Sequence, residues 1–476
     1  MQLTDKEIIK RIKRRIGISD FIFSQKHNRW YTYDEFWKGS ACISEELKLL
    51  KVQKVIAIME NSIDLCQLYF ACMLSNIQII PIDPHKSQGE INKILAEHME
   101  AKVIRDSDRI FCMDMEAQVF DEDMIREKID GIDLRKVYMI TYTSGSTGTA
   151  KGVIHNLRNL FLASESLGSS SGLDPSYTMC HVMPMTYMAG ILNTIFMPFF
   201  CGCRIVIMPR FDVMSAVSFW KNAEKNNVNA FWLSPTMLNI LMTVDRKGKA
   251  REYLSKTDTL FYVGTGPLYE NVRKRFEERY GVSLLQSYGL SETLFLSSQL
   301  PGSAKDAESA GVILPGVKIA IQSDEEIGVD VPWMFLGYSN EKAEDNFQDG
   351  YYMTGDLGEI RDHELYITGR KKDLIIKGGM NISPRQIESC IMGIGMVDEC
   401  AVAGVVRNED EHIVCWYVSA DGAGVSEKEL NRVIGDRLGS YCKIDRFISV
   451  SEIPKNLNGK ADKRRLTEEV QNDSEI

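Results

Sequence analysis

Residues 141–152 read TYTSGSTGTAKG, a run of hydroxyl side chains and glycines closed by one lysine. Gly145, Gly148 and Gly152 let backbone N–H groups approach an anion closely, Thr143, Ser144, Ser146 and Thr147 add hydroxyl donors, and Lys151 adds a charge. Such a stretch is an anion cradle suited to phosphate, and its composition is equally that of a surface turn. It is not a Walker A loop, because Ala150 precedes Lys151 and Gly152, not Ser or Thr, follows it. Further along stand Glu292 in YGLSET (288–293), Asp356 in YMTGD (352–356), Arg370 in GRKKD (369–373) and Lys460 in PKNLNGK (454–460). Each has an ordinary reading: Glu292 as a helix N-terminal carboxylate after Ser291, Asp356 as a turn former, Arg370 as a surface ion pair, Lys460 as one more exposed lysine.

These five stretches, in this order, resemble the motifs of the adenylate-forming superfamily, which includes acyl-CoA synthetases, firefly-type luciferases and nonribosomal adenylation domains. IIPIDP (79–84) extends the resemblance toward the N-terminus. The resemblance implies an α/β fold, with a large N-terminal domain of layered sheets and helices and a small mobile C-terminal α+β domain. It also implies an enzyme that activates a carboxylic acid with ATP as acyl-AMP, releases pyrophosphate, and transfers the acyl group to a thiol.

The resemblance assigns roles residue by residue. Thr143, Ser144, Gly145, Ser146, Thr147, Gly148 and Lys151 would hold the β- and γ-phosphates. Glu292 would ligate Mg²⁺, which takes hard oxygen ligands from a carboxylate and from phosphates, and Ser291 would offer its hydroxyl to the α-phosphate. Gly264, Thr265, Gly266, Pro267, Gln286, Tyr288 and Gly289 would surround the adenine, Asp356 would bind the ribose, and Arg370 would contact the ribose or a phosphate. Lys460 would be the catalytic lysine, Lys372 the hinge about which the C-terminal domain turns, and Gly378 and Gly379 part of the tunnel for the thiol. Tyr187, Met188 and Gly190 would line the acyl pocket. No Asp lies between Met183 and Gly190 to pair with a buried ammonium, which favours an acid without an α-amine. The acceptor thiol would be coenzyme A or the phosphopantetheine of a separate carrier protein, with no carrier domain within the tail at 467–476. Rival readings are a non-catalytic nucleotide-binding relative and an enzyme that oxidises its adenylate.

Positioning these residues requires alternating layers. Apolar runs at 55–59, 77–82, 137–141, 204–208 and 259–263 read as strands, and 63–74 and 156–167 as helices with apolar residues at helical spacing. The apolar stretch 183–203 is broken by glycine, proline and Asn193, which favours a buried element over a membrane span. Composition shifts at 368–372, and beyond it come a helix at 384–392, strands at 399–406 and 413–419, and a helix at 427–438. The expected domains are therefore 1–369 and 370–476, with the site where they meet.

The bulk numbers exclude other classes. A chain of 476 residues with 44% hydrophobic and 26% charged residues has the make-up of a globular protein of two or three domains. A formal charge of −10, with only short basic runs at 10–15 and 460–465, argues against nucleic acid and anionic membrane as partners. Eleven cysteines without a CxxC pair suggest neither zinc nor a disulfide framework, and the start has no signal-like apolar core, so a reducing cytoplasmic setting is expected. Oligomeric state is not legible.

Overall fold

The computed structural model describes residues 3–108, 120–143, 150–303, 306–407, 410–420, 425–455 and 460–471. The cradle residues Ser144, Gly145, Ser146, Thr147 and Gly148 lie outside them.

Two sheets carry the chain as far as Arg370. The smaller has six strands, with Lys54–Ile58 next to one edge, between the parallel strands Gln78–Ile82 and Lys102–Arg105, the latter at the edge; Gln78–Ile82 also pairs in parallel with Val137–Thr143. The run VIAI (55–58) is buried throughout, as expected of a parallel strand covered on both faces. In the larger sheet, Asp20–Ser24, Arg204–Ile207, Thr178–His181, Ala230–Leu233, Leu260–Val263 and Leu284–Leu290 run parallel in that spatial order. From Leu294–Ser298 onward the sheet turns antiparallel, through Ser309–Ile313, Glu364–Arg370, Tyr351–Arg361, Glu326–Asp330 and Lys318–Ile321.

Helices pack between and over the sheets. Ile63–Ser75 is apolar nearly all round, and ten of its thirteen residues are buried, which marks a helix enclosed between layers. Ser62 caps its first turn and Asn76, in the left-handed region at φ 55°, ends it. Each large side chain so enclosed contributes about 1.5–3 kcal/mol. The stretch 183–203 is such an element too: a buried π-helix, Ala189–Phe196, runs into the helix Met197–Cys201. Among the described residues no helix is long and apolar enough to cross a membrane.

Beyond Arg370 the chain builds its own small sheets. Ile375–Lys377 and Met380–Ile382 form a hairpin; Val397–Arg407, Asp410–Ser419 and Arg446–Ser449 form a three-stranded sheet. The helices Pro384–Met392 and Glu427–Leu438 cover it.

Three local expectations need correction. Between the strand at 137–143 and the next helix lies a further strand, Lys151–Asn156, paired antiparallel so that Thr143 faces Lys151. Its pattern KGVIHN lacks strict alternation because both faces are covered: Val153 lies in one core cluster and Ile154 packs against another. Glu292 does not start a helix; it sits in the tight connection between Leu284–Leu290 and Leu294–Ser298. Asp356 is not in a loop but inside the strand Tyr351–Arg361, just after Gly355 at φ 71° and just before the register with Glu364–Arg370 shifts, between Leu357 and Gly358.

Candidate active site

The carboxyl ends of adjacent parallel strands deliver the first group of residues, where open α/β sheets place ligands. Leu260–Val263 ends at Gly264, and Leu284–Leu290 carries Gln286, Tyr288 and Gly289. These residues, with Thr265, Gly266 and Pro267, line a cavity of about 1720 Å³ that both halves of the chain enclose. Thr265 holds φ 69° and Leu294 φ 53°, conformations costly for non-glycine residues and retained where surrounding structure enforces them. The Oε1 of buried Gln286 and the Oγ1 of Thr265 meet no protein partner, which leaves both for a ligand.

Asp356 is buried in the cavity wall, and both its oxygens are engaged. Tyr288 Oη donates to Oδ2 at 2.8 Å and Arg370 Nε donates to Oδ1 at 2.6 Å. The antiparallel register places Asp356 directly opposite Arg370, so the pair is built by strand pairing, not by surface chance. Burial works against the Arg370 cation, but Asp356 outweighs it and raises the guanidinium's pKa. A carboxylate has about four acceptor sites, so Asp356 keeps capacity for two further donors such as ribose hydroxyls.

Ser291 and Glu292 are braced from behind. Buried His155 donates from Nε2 to the Ser291 carbonyl at 2.7 Å, Trp333 Nε1 donates to the Thr293 carbonyl at 2.8 Å, and the Phe335 N–H donates to the Glu292 carbonyl at 2.9 Å. Burial pushes the His155 pKa down to about 4, so the ring is neutral and its Nε2–H is a fixed donor. The Glu292 side chain accepts from Tyr338 Oη at 2.9 Å, and Tyr338 Oη lies 2.9 Å from Tyr352 Oη. Lys151 pairs with Glu341 at 2.7 Å beneath the Tyr338 ring. Thr143, Lys151 and Glu292 all line the cavity. Among the described residues no cluster of three His, Cys, Asp or Glu could cage a metal; a single carboxylate such as Glu292 would fit Mg²⁺ only where other oxygen ligands come from a bound nucleotide and water.

Lys460 enters the same cavity from the C-terminal half. Surrounding protein desolvates its ammonium although the side chain is open to the cavity, and this, then the Arg370 guanidinium, opposed by Asp356, and then Lys372, lower its pKa to about 8. Lys372 sits in a single 3₁₀ turn, Lys371–Asp373, and its own pKa is lowered by burial and Arg370. Gly378 and Gly379 do not line the cavity in this domain orientation. With φ 57° and 78° they form the two-residue turn of the 375–382 hairpin, a type that needs positive φ at both positions.

Tyr187 and Met188 line the cavity at the start of the π-helix, with Leu192, Trp232, Leu294 and Phe295. Gly190 does not line it. A Cβ there would come within 2.0 Å of the Pro184 carbonyl, so this glycine permits close packing behind the wall. His155, Tyr338 and Trp333 lie outside any recognisable motif, and Tyr352, though it opens the run at 352–356, was given no role from sequence; the fold brings all four to the site.

Comparison with known proteins agrees with this geometry. Residues 11–338 match the family described as AMP-binding enzyme, and residues 386–460 match the AMP-binding enzyme C-terminal domain. A long-chain-fatty-acid–CoA ligase, FadD13 of Mycobacterium tuberculosis, is 28% identical over 89% of each chain. A 2-succinylbenzoate–CoA ligase of Bacillus licheniformis is 29% identical over 86% of this chain and 88% of its own. The fold is that of ATP-bound MatB from Rhodopseudomonas palustris, with a TM-score of 0.85 at 23% identity over 98% of this chain and 99% of that one. The chain belongs to the family of AMP-binding enzymes.

Proposed function

We propose that this chain is an ATP-dependent acid–CoA ligase working through an acyl-adenylate. The observation that carries the reading is the meeting of Lys460, from the C-terminal half, with Asp356, Arg370 and Glu292 of the larger half in one cavity. In the first step a carboxylate oxygen bonds to the α-phosphorus as the bond to pyrophosphate breaks. Lys460 holds the approaching carboxylate and the α-phosphate, two anions that otherwise repel, and such electrostatic stabilisation is commonly the largest catalytic contribution. Asp356 accepts from the ribose hydroxyls, Arg370 fixes Asp356, and Tyr288 with the turn at 264–267 flanks the base. Glu292 would hold Mg²⁺, whose positive charge neutralises the departing pyrophosphate. Lys151, paired with Glu341 here, is the cation left for the β- and γ-phosphates. In the second step the thiol sulfur bonds to the acyl carbon and AMP leaves, after 370–476 turns about Lys372 against 1–369 and carries Gly378 and Gly379 toward the thiol's path.

Coenzyme A is the acceptor, in keeping with the two ligases named above; no observation favours a carrier protein. The acid is a monocarboxylate with an uncharged tail. Of the described cavity-lining residues from Tyr187 to Phe295, only Glu292 is charged, so a second carboxylate would be desolvated without a cation. The described cysteines are free thiols, in keeping with a reducing cytoplasmic setting.

The test is pyrophosphate release from ATP over a panel of fatty, aromatic and dicarboxylic acids, with and without coenzyme A. Acid-dependent release with neutral-tailed acids, and thioester only with coenzyme A present, is expected. No release with any acid from folded protein would reduce the chain to a nucleotide-binding relative.

A further inference from the structure

A carboxylate buried between the two halves of the chain has a role the reaction does not directly require. Glu388 lies on the helix Pro384–Met392 beyond the hinge and is 5% exposed. Its Oε1 accepts from the Val402 N–H at 2.8 Å and pairs with Lys463 Nζ at 2.7 Å; both partners belong to its own half. Its Oε2 accepts from Tyr269 Oη at 2.9 Å, and Tyr269 belongs to the other half. Tyr269 stands two residues after Pro267, at the end of the turn beside the base site, and Lys463 stands three after Lys460. The chain of contacts Tyr269, Glu388, Lys463 therefore runs from the base-binding turn to the segment bearing Lys460, along the wall of one cavity.

The carboxylate has its charge matched within its own half, so Glu388 tolerates burial in any orientation of the C-terminal half. The Tyr269 hydroxyl is different: it reaches Glu388 only when that half docks as seen here. Buried among apolar groups beside a carboxylate, the phenol stays protonated and can only donate. A second contact across the interface, Arg275 to Asp398 at 2.8 Å, is exposed on both sides and contributes little.

We propose that Tyr269 and Glu388 form a latch that holds the C-terminal half in the orientation placing Lys460 in the cavity, so that Tyr269 is a positioning residue for adenylation and not for thioester formation. The latch rests on the ligase reading for its catalytic consequence, but its structural consequence is independent of it. The decisive variant is Tyr269→Phe, which keeps the ring and removes only the hydroxyl. Loss of a hydrogen bond to a buried charge should lower acid-dependent pyrophosphate exchange by about tenfold, while coenzyme A transfer from supplied acyl-adenylate stays within about twofold. Arg275→Ala should change neither half-reaction by more than about twofold. Amide hydrogen exchange of residues 384–392 should quicken in Tyr269→Phe at an unchanged melting temperature. Equal slowing of both half-reactions, or no change in either, overturns the latch. If the unaltered protein shows no exchange with any acid, the ligase reading falls while hydrogen exchange still decides the latch: unchanged exchange in Tyr269→Phe overturns it.

Discussion

The turn holding Ser291 and Glu292 and the segment holding Lys460 serve one cavity but are built in opposite ways. Around the turn, three backbone carbonyls in succession are each held by a donor, His155 from one strand and Phe335 and Trp333 from one connecting segment, and the Glu292 side chain is held by Tyr338. A turn braced in this way is preorganised, which is how an electrostatic site avoids reorganisation during reaction. Lys460 instead projects from a segment beyond the hinge, among the cations Arg370 and Lys372 that disfavour its charge. One side of the site is held by its own neighbours; the other depends on how the chain beyond Arg370 sits against the cavity.

Breaking the delivered side should have the largest effect. Lys460→Ala should lower adenylate formation by roughly 10²–10³-fold, the scale of losing one preorganised charge-stabilising group. Thioester formation from supplied adenylate should be nearly intact. A comparable loss in both steps would mean that the lysine serves the fold. Next comes the hinge: Lys372→Pro fixes φ near −65°, a value the 3₁₀ turn already uses. It should spare pyrophosphate exchange and lower thioester formation by about tenfold or more, as expected when a gating motion is blocked. Loss of both steps alike would remove domain rotation from the mechanism.

A smaller effect separates the two sides by pH. Desolvation and neighbouring cations place the Lys460 pKa at about 8, so the free enzyme's lysine is mostly charged at pH 7 and neutral at pH 9. Adenylation needs the cation, so kcat/KM for ATP should fall as pH rises through about 8, because that parameter follows ionisation of free enzyme. Lys372→Gln removes one of the depressing charges and should move that limb upward. A limb unmoved by the substitution would assign it to another group.

Much of this site was legible because its motifs are contiguous. The runs at 288–293, 352–356 and 369–373 named Glu292, Asp356 and Arg370, and alternating apolar runs named the α/β layers. The strand-pairing that sets Asp356 opposite Arg370 was not legible, since register depends on a shift between Leu357 and Gly358 that local composition does not announce. His155 was hidden for another reason. A histidine in an apolar run ordinarily reads as core packing, and only the pairing of 151–156 against 137–143 carries it under the turn at 290–294. Glu388 lies in a helix whose bounds were legible, yet its three partners come from residues 269, 402 and 463, too far apart for any pattern to join. Legibility ended where function depends on contacts between distant segments.

The smallest expected effect probes the braced side through His155. Its removal strands the Ser291 carbonyl without a donor, so His155→Ala should cost about 1–3 kcal/mol of stability at pH 7 and slow adenylation only a few-fold. The pH dependence gives the sharper reading. In the folded chain the ring has a pKa of about 4, against about 6.5 in an unfolded chain. Below pH 6.5 the unfolded chain binds a proton that the folded one refuses, so stability from keeping this ring neutral is fully present above 6.5 and is lost as pH falls toward 4. His181, buried with a pKa lowered to about 3, adds a loss of the same sign that remains in the variant. Urea melts at pH 7 and pH 5 should therefore show the gap between wild type and His155→Ala narrowing in acid. A gap that stays constant would mean His155 titrates alike folded and unfolded, and the neutral, donor-fixed ring under the Ser291 carbonyl would have to be abandoned.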